Sequence, residues 1–399
     1  MNAMDLPEYR IAHRVADARI SAIKEMAMLS ARIEGAASLT WGLPSFQTPE
    51  WIREAVAGSL AIDPDIGKYA LPDGLPVLRQ LAAERHARET GISVDVDHHV
   101  MITAGNMQAL NTLFHVLINP GDEIILTDPG FASHFQQVQI CGGLSVHWAL
   151  DEANGWRLNV DALPQLITPR SKAIVLVSPS NPTGAIFERE SLLRVGEIAR
   201  AHNLLVILDD PYSAFTYEHR EEYFNLASVP ALRERVIYCF TFSKCYAMSG
   251  WRLGYMILPS ALKREALKVH DATMICAPRI SQVAGVAALR HDIDPFEEFE
   301  AVLARRRALI CERLDHMSHV FRYSRPQGAY YVFPRIVAPH QDAWEFCRRL
   351  LEEASVTLTP GSAFGPSGEH HVRMAYCVSD DTINQAFDRM ERYFGREGR

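Results

Sequence analysis

The stretch from Thr241 to Tyr255 carries the side chains best suited to covalent chemistry. It places two hydroxyl groups, Lys244 and Arg252 on a loop directly after an apolar run. Apolar neighbours such as Phe242 favour a semi-buried position, where desolvation disfavours an ammonium group. An unprotonated lysine amine can attack a carbonyl carbon and form a Schiff base. The stretch therefore predicts a nucleophilic lysine rather than an ordinary surface one.

Three other turns follow apolar runs and carry polar side chains. Gly105 and Asn106 precede a predicted helix, whose first N–H groups could dock an anion. Asn181 lies in the turn at 178–184 and offers both a donor and an acceptor. Asp209 follows the run LLVIL, where a buried carboxylate needs a cation. Each position alone also fits an ordinary turn or helix cap.

The elements that position these turns alternate in type from about residue 100 onward. Short β-branched runs such as AIVLV at 173–177 are separated by longer amphipathic segments. This pattern predicts βαβ units around a mostly parallel sheet, an α/β fold. Parallel strands end at the same edge of their sheet, so the four segments are expected to converge there.

The alternation fades near residue 290. A long charged amphipathic helix is predicted at 291–316, followed by strand, helix and strand segments that suit a smaller α+β domain. The chain is therefore expected to divide into an N-terminal arm at 1–45 that packs with the small domain, a large domain at 46–288 and a small C-terminal domain at 289–399.

Composition excludes several function classes. The 399 residues carry a net charge of −8, so no basic field is available to bind nucleic acid. The longest apolar runs are far shorter than a membrane span, and the first residues do not resemble a secretory signal. The seven cysteines lack C-x-x-C spacing, so we expect reduced thiols, a cytoplasmic location and no metal site.

The motifs taken together resemble a known family. The runs T-F-S-K-x-Y-x-M-x-G-W-R-x-G-Y at 241–255 and S-P-S-N-P-T-G at 178–184 are similar to those of class I/II aminotransferases, which are fold-type I pyridoxal-phosphate (PLP) enzymes. The resemblance extends from about Leu39 to Ser379. It implies that the large domain binds PLP and that the protein is a homodimer acting on small molecules, an amino acid and a 2-oxo acid such as 2-oxoglutarate.

The resemblance also implies a role for individual residues. Lys244 is expected to form the Schiff base and carry protons, with Asp209 against the pyridinium nitrogen. The remaining expected contacts are Asn181 and Tyr212 at the phenolic oxygen, Phe131 on the ring, Gly105, Asn106, Thr241, Ser243 and Arg252 at the phosphate, Tyr69 at the partner subunit's phosphate, and Arg373 with Gly42 and Asn181 at the substrate α-carboxylate. A cis bond between Asn181 and Pro182 is expected as well.

The preference for the amino donor is predicted from an arginine that the resemblance leads one to expect and that this sequence lacks. Dicarboxylate-specific relatives use an arginine that spacing from Lys244 would place at Ala272 here. A neutral or aromatic amino donor is therefore favoured, and Arg279 is either a substitute cation or a surface residue. The fold also hosts C–S lyases and ACC-synthase-like lyases, which remain the alternative, and silent PLP-fold regulators.

Overall fold

Strands of β-branched and aliphatic residues build the centre of this fold. A computed structural model describes residues 10–18, 20–291, 296–339 and 342–397. The strands are β1 (Ala37–Ser38), β2 (Val100–Thr103), β3 (Glu123–Asp128), β4 (Leu144–Asp151), β5 (Arg157–Leu158), β6 (Ser171–Leu176), β7 (Leu205–Asp210), β8 (Val236–Thr241), β9 (Gly254–Ile257), β10 (Phe321–Arg322), β11 (Tyr331–Val332), β12 (Arg335–Ile336), β13 (Val356–Thr357), β14 (Thr359–Pro360) and β15 (Val372–Ala375).

Helices cover both faces of the central sheet and flank the C-terminal strands. They are α1 (His13–Ala16), α2 (Ala22–Ser30), α3 (Glu50–Ile62), α4 (Pro76–Thr90), α5 (Val96–His99), α6 (Asn106–Leu117), α7 (Ala132–Ile140), α8 (Leu163–Leu166), α9 (Arg189–Ala201), α10 (Ser260–Met274), α11 (Arg279–Arg290), α12 (Phe296–His316), α13 (Ala343–Ala354) and α14 (Asp380–Glu397). No helix in the described ranges is long and apolar enough to cross a lipid bilayer.

The central sheet confirms the predicted α/β class. Among the described residues it has eight strands in the order β2-β9-β8-β7-β6-β3-β4-β5. The inner strands β8, β7, β6, β3 and β4 run parallel, whereas β9, β2 and β5 pair antiparallel with their neighbours. Successive residues point to opposite faces, so Ile174 and Val175 enter two different apolar clusters. The parallel strands therefore end together at one edge.

The C-terminal part forms a smaller α+β layer. Strands β11, β15 and β14 make an antiparallel sheet, and α12, α13 and α14 pack around it. The N-terminal segment joins this layer, because β1 pairs parallel with β13. The predicted helix at 291–316 is present as α12, with 292–295 outside the described residues.

Candidate active site

The converging strand ends enclose one cavity of about 270 Å³. Most of the residues predicted for the site line it: Gly42, Asn106, Phe131, Asn181, Asp209, Tyr212, Thr241, Ser243, Lys244, Arg252 and Arg373. They come from the edge of the central sheet, from the N-terminal segment and, for Arg373, from β15 of the C-terminal layer. The cavity thus lies where these parts of the chain meet.

Lys244 lies inside this cavity on the turn that follows β8. Its Nζ donates a hydrogen bond to the carbonyl oxygen of Gly42 at 2.7 Å. Burial lowers the pKa of the ammonium group to about 8, with Arg373 and Arg252 adding to the effect and nearby Cys377 and Asp209 opposing it. The unprotonated amine, which is the nucleophilic form, is therefore more accessible near neutral pH than it is for an ordinary lysine.

Gly42 brings the N-terminal segment against the lysine. A Cβ atom at this position would collide with the hydroxyl group of Tyr331. The glycine therefore allows the backbone to approach close enough for its carbonyl oxygen to accept a hydrogen bond from Lys244 Nζ. The sequence assigned Gly42 to the substrate carboxylate, whereas in this arrangement the contact that the structure shows is the one to Lys244.

Asp209 is held at the end of β7 by two side chains. Its Oδ1 accepts a hydrogen bond from Asn106 Nδ2 at 2.7 Å, and its Oδ2 lies 3.0 Å from His134 Nε2. The carboxylate is buried with only 4% exposure. His134 was missed by the sequence reasoning, although it follows Phe131 at one helical turn on α7 and so lies on the same helix face.

Asp210 points away from the cavity, as alternation along a strand requires. Its carboxylate accepts hydrogen bonds from the hydroxyl groups of Tyr223 and Tyr238, both at 2.9 Å. Burial raises the pKa of this carboxyl group, against the effect of those hydrogen bonds. Only the first aspartate of the pair can therefore face a ligand in the cavity.

A cradle for an anion surrounds the beginning of α6. Gly105 adopts φ +79° just before the helix, and a Cβ there would stand 2.7 Å from Arg252 Nη2. Arg252 Nη1 donates to the Ser249 carbonyl at 2.8 Å, and the buried hydroxyls of Thr241 and Ser243 bond to each other at 2.9 Å. Helix N–H groups, two hydroxyls and a guanidinium form a donor set that suits a phosphate dianion.

Arg373 closes the other end of the cavity. Its Nη1 donates to Asn181 Oδ1 at 3.1 Å and its Nη2 to the Thr40 carbonyl at 2.5 Å, while its buried Nε has no protein partner. The guanidinium stands over the rings of Tyr331 and Phe364 at 4.5 and 4.9 Å. This rigid, buried cation is suited to bind a carboxylate.

Tyr212 and Asn181 complete the wall between Lys244 and Arg373. The Tyr212 hydroxyl lies 2.9 Å from that of Tyr331, and burial raises its pKa well above the usual value, so it stays a neutral donor. The bond between Asn181 and Pro182 is cis, as predicted. Phe131 stands at the start of α7 with its ring edge-on to His134.

The lining of this cavity does not include Tyr69, Ala272 or Arg279 of the same chain. Tyr69 is 75% exposed on the surface, so its predicted role toward a partner subunit stays a prediction. Ala272 is exposed on α10. Arg279 Nη2 binds Asp63 Oδ2 at 3.2 Å and does not line the cavity. Lys24, which the sequence reasoning passed over, does line it.

Comparison with known proteins decides the family. A sequence model described as "Aminotransferase class I and II" matches residues 37–390. The chain belongs to this aminotransferase family. Members of the class I and II aminotransferases are generally PLP-dependent, and the protein is an enzyme that transfers amino groups. The predicted family, fold type and activity are thereby confirmed.

Known aminotransferases are similar to this chain over nearly its whole length. An aspartate aminotransferase of Pyrococcus abyssi is 34% identical, with 93% of this chain and 95% of that protein covered. The aromatic-amino-acid aminotransferase 2 of Thermococcus litoralis is 33% identical, again over 93% and 95%. The structure of aspartate aminotransferase from Thermus thermophilus with maleate matches with a TM-score of 0.90 at 32% identity, covering 96% of this chain and 100% of that one.

Proposed function

We propose that this aminotransferase binds PLP through Lys244 and uses the surrounding cavity for both half-reactions. The observation that carries the proposal is the position of Lys244, whose lowered pKa and shared cavity with Asp209, Arg252 and Arg373 provide a nucleophilic amine between two anion sites. The cradle at α6 has the donor set for a phosphate group. The buried Asp209 carboxylate has the charge to face a protonated pyridine nitrogen.

The residues then divide the reaction among them. Bound PLP supplies an electron-withdrawing ring that stabilises the charge left when the substrate loses its α-proton. Lys244 Nζ would take that proton from the substrate Cα as a general base and pass it, as a general acid, to the bound cofactor, as amino-group transfer requires. Asp209 would supply the negative charge opposite the pyridine nitrogen, and Asn106 and His134 keep its carboxylate in place. Tyr212 and Asn181 donate hydrogen bonds toward the phenolic oxygen.

Arg373 binds the α-carboxylate of the substrate. Its two Nη atoms are already anchored on Asn181 and Thr40, so the guanidinium is pre-organised. Burial of the cation makes a charged partner strongly favourable. An amino acid would therefore be held by its carboxylate with its amino group toward Lys244.

The rest of the cavity supports a neutral or aromatic donor with 2-oxoglutarate as acceptor. Ile23, Trp41, Met107 and Leu110 give it apolar walls. Lys24 is an exposed cation that also lines the cavity, and the structure shows no ion pair for it among the described residues. We assign Lys24 to the second carboxylate of 2-oxoglutarate or glutamate, which an aromatic donor lacks.

The functional unit that we propose is a homodimer. Four large apolar side chains are exposed within the segment at 60–71: Leu60, Ile62, Tyr69 and Leu71, with exposures of 53 to 82%. Several large apolar side chains exposed in one segment support an interaction surface there. In the dimer, Tyr69 would reach the phosphate of the neighbouring subunit.

We also propose a division of the chain into domains and a location in the cell. We divide the chain into an arm at 1–45, a large PLP-binding domain at 46–288 and a small domain at 289–399, supported by the pairing of β1 with β13 and by the separate C-terminal sheet. All seven cysteines are unpaired, which supports a reducing compartment, and we place the enzyme in the cytoplasm.

Two experiments test these assignments. Borohydride reduction followed by peptide mapping should find the pyridoxyl group on Lys244, and labelling of another lysine would contradict the site. A panel of phenylalanine, leucine, methionine, alanine and aspartate against 2-oxoglutarate should favour the neutral and aromatic donors.

A Lys24→Gln variant tests the assignment of the acceptor carboxylate. It should raise KM for 2-oxoglutarate about tenfold, worth about 1.4 kcal/mol, and leave KM for phenylalanine unchanged. The matched control is Lys268→Gln, which removes an exposed lysine paired with Glu265 on α10. Equal effects on both substrates would refute the role of Lys24.

A further inference from the structure

The turn between β4 and β5 of the large domain contacts the small domain through the side chains of Glu152 and Trp156. Trp156 in this turn is almost fully buried, with its ring edge-on to Phe333 and His371 at centroid distances of 5.6 and 5.2 Å. It adopts φ +67°, a left-handed conformation that a bulky residue takes only when its surroundings impose it. The turn is therefore held in a strained form against the small domain.

Glu152 in the same turn bonds to two side chains of the small domain. Its Oε1 accepts from Arg335 Nε at 2.8 Å and lies 3.0 Å from His371 Nε2, and its Oε2 accepts from Arg335 Nη2. Arg335 and His371 are themselves bridge partners on adjacent strand segments. One carboxylate of the large domain, that of Glu152, thus binds both Arg335 and His371 of the small domain.

The charge states fit this arrangement. Burial raises the pKa of the Glu152 carboxyl group, but the hydrogen bonds from Arg335 and His371 outweigh it and keep the pKa below its usual range. Burial also lowers the pKa of the His371 imidazole, and the contact with Glu152 opposes this only in part. A neutral imidazole with its proton on Nε2 donates to an ionised Glu152, and Arg335 balances the charge.

A continuous row of packed side chains leads from Glu152 to the substrate carboxylate site. His371 precedes Arg373 by two residues, so both point to the same face of the β15 segment. The His371 ring stacks on Phe333 at 4.9 Å, and Phe333 packs edge-on to Phe364 at 5.8 Å. Phe364 in turn supports the Arg373 guanidinium at 4.9 Å.

A second set of contacts fixes Phe364, in the middle of this row, to the large domain. The Asp128 carboxylate at the end of β3 accepts a hydrogen bond from the Ser367 N–H at 3.1 Å, and the Gly130 N–H donates to the Phe364 carbonyl at 2.8 Å. A Cβ atom at Gly365 would collide with the Asp128 carboxylate. The loop that carries Phe364 is therefore fixed to the large domain at a separate point.

We propose that Glu152 is a positioning residue for the aminotransferase reaction, which ties His371 and Arg335 to the large domain and thereby sets the place of Arg373 relative to Lys244. The inference rests on the proposed role of Arg373 as the α-carboxylate site. Glu152 acts through Arg373, which binds the α-carboxylate that every amino acid carries. Its replacement should therefore change KM by the same factor for all amino donors. This distinguishes it from a residue that selects the substrate side chain.

The test is a Glu152→Gln variant of the PLP-loaded enzyme. KM should rise by the same factor, about tenfold, for L-phenylalanine and for L-glutamate, with kcat changed by less than twofold. Single-turnover reaction with phenethylamine, which lacks the carboxylate, should be unaffected. The matched control is Glu188→Gln, because Glu188 pairs with Arg157 of the neighbouring strand within the large domain, both side chains being exposed.

Calorimetric binding of 3-phenylpropionate, an unreactive carboxylate, gives a readout that does not need turnover. Its Kd should rise by the same factor as KM in Glu152→Gln and in Arg335→Gln, which removes the other charge of the pair from a half-exposed position. Unchanged Kd in both variants would overturn the proposal. A loss of kcat with unchanged KM would overturn it equally.

A double-mutant cycle separates this inference from the proposed function. If Glu152 acts through Arg373, the Glu152→Gln effect on Kd should vanish in the Arg373→Ala background. An Arg373→Ala variant with unchanged Kd would show that the carboxylate site is assigned wrongly. Two outcomes would refute the positioning role alone and leave the carboxylate site as assigned. In both, Arg373→Ala raises Kd strongly; in one, Glu152→Gln has no effect on Kd, and in the other its effect adds to that of Arg373→Ala.

Discussion

Replacement of Lys244 by methionine should stabilise the cofactor-free protein at neutral pH. The pKa of this lysine is lowered from 10.5 to about 8. A difference of about 2.5 pKa units corresponds to a folding cost of about 3.4 kcal/mol at about 1.36 kcal/mol per unit. The side chain keeps some contact with solvent in the cavity, and the variant loses the hydrogen bond to Gly42. We therefore expect a net gain in the free energy of unfolding of about 1 to 3 kcal/mol.

The pH dependence of this gain follows from the sign of the shift. Below about pH 8 the lysine is protonated in both states, and the folded wild-type protein carries the full cost. Between about 8 and 10.5 the folded state releases the proton that the unfolded state still holds, so the stability of the wild type rises with pH. The advantage of Lys244→Met should therefore shrink by about 1 to 2 kcal/mol between pH 7 and 9.5.

Urea denaturation of the two cofactor-free proteins at pH 7 and 9.5 measures both quantities. Lys268→Met serves as the control, since Lys268 is 70% exposed beside Glu265 and lies outside the cavity. A Lys244→Met variant that is no more stable than the wild type at pH 7 would refute the reasoning. So would an advantage that stays constant or grows as the pH rises.

Three further predictions concern the cofactor and substrate contacts. Arg252→Ala should lose PLP on gel filtration, whereas Arg373→Ala should retain it and lose roughly 2 to 5 kcal/mol in kcat/KM; identical phenotypes would contradict the two roles. His134→Phe removes a hydrogen bond to Asp209 worth about 1.5 to 3 kcal/mol, so PLP should dissociate faster on dialysis and kcat should fall; unchanged values would exclude this support. Gly105→Ala adds strain at φ +79° and a Cβ 2.7 Å from Arg252 Nη2, so titration should show at least tenfold weaker PLP binding, while Gly58→Ala, whose Cβ has no neighbour within 4 Å, should not.

The residues of the sheet edge could be predicted because they depend on local sequence. Apolar runs such as LLVIL and AIVLV fix where strands lie, and in a parallel sheet the polar residues after those runs must meet at one edge. Asp209, Asn181 and Lys244 were found in this way and do line one cavity. The alternation of side chains along β7 also explains why Asp210 turns away.

The partners of these residues were decided by contacts that no local pattern encodes. His134 meets Asp209 across 75 residues of chain, Glu152 meets His371 across 219, and Arg279 meets Asp63 across 216. Arg279 illustrates the consequence, because nothing in the sequence indicated that its guanidinium would pair with the Asp63 carboxylate. Sequence determined which side chains could do chemistry here, since residue type and strand position are local. Tertiary structure alone determined which of them touch, since that depends on how distant segments pack.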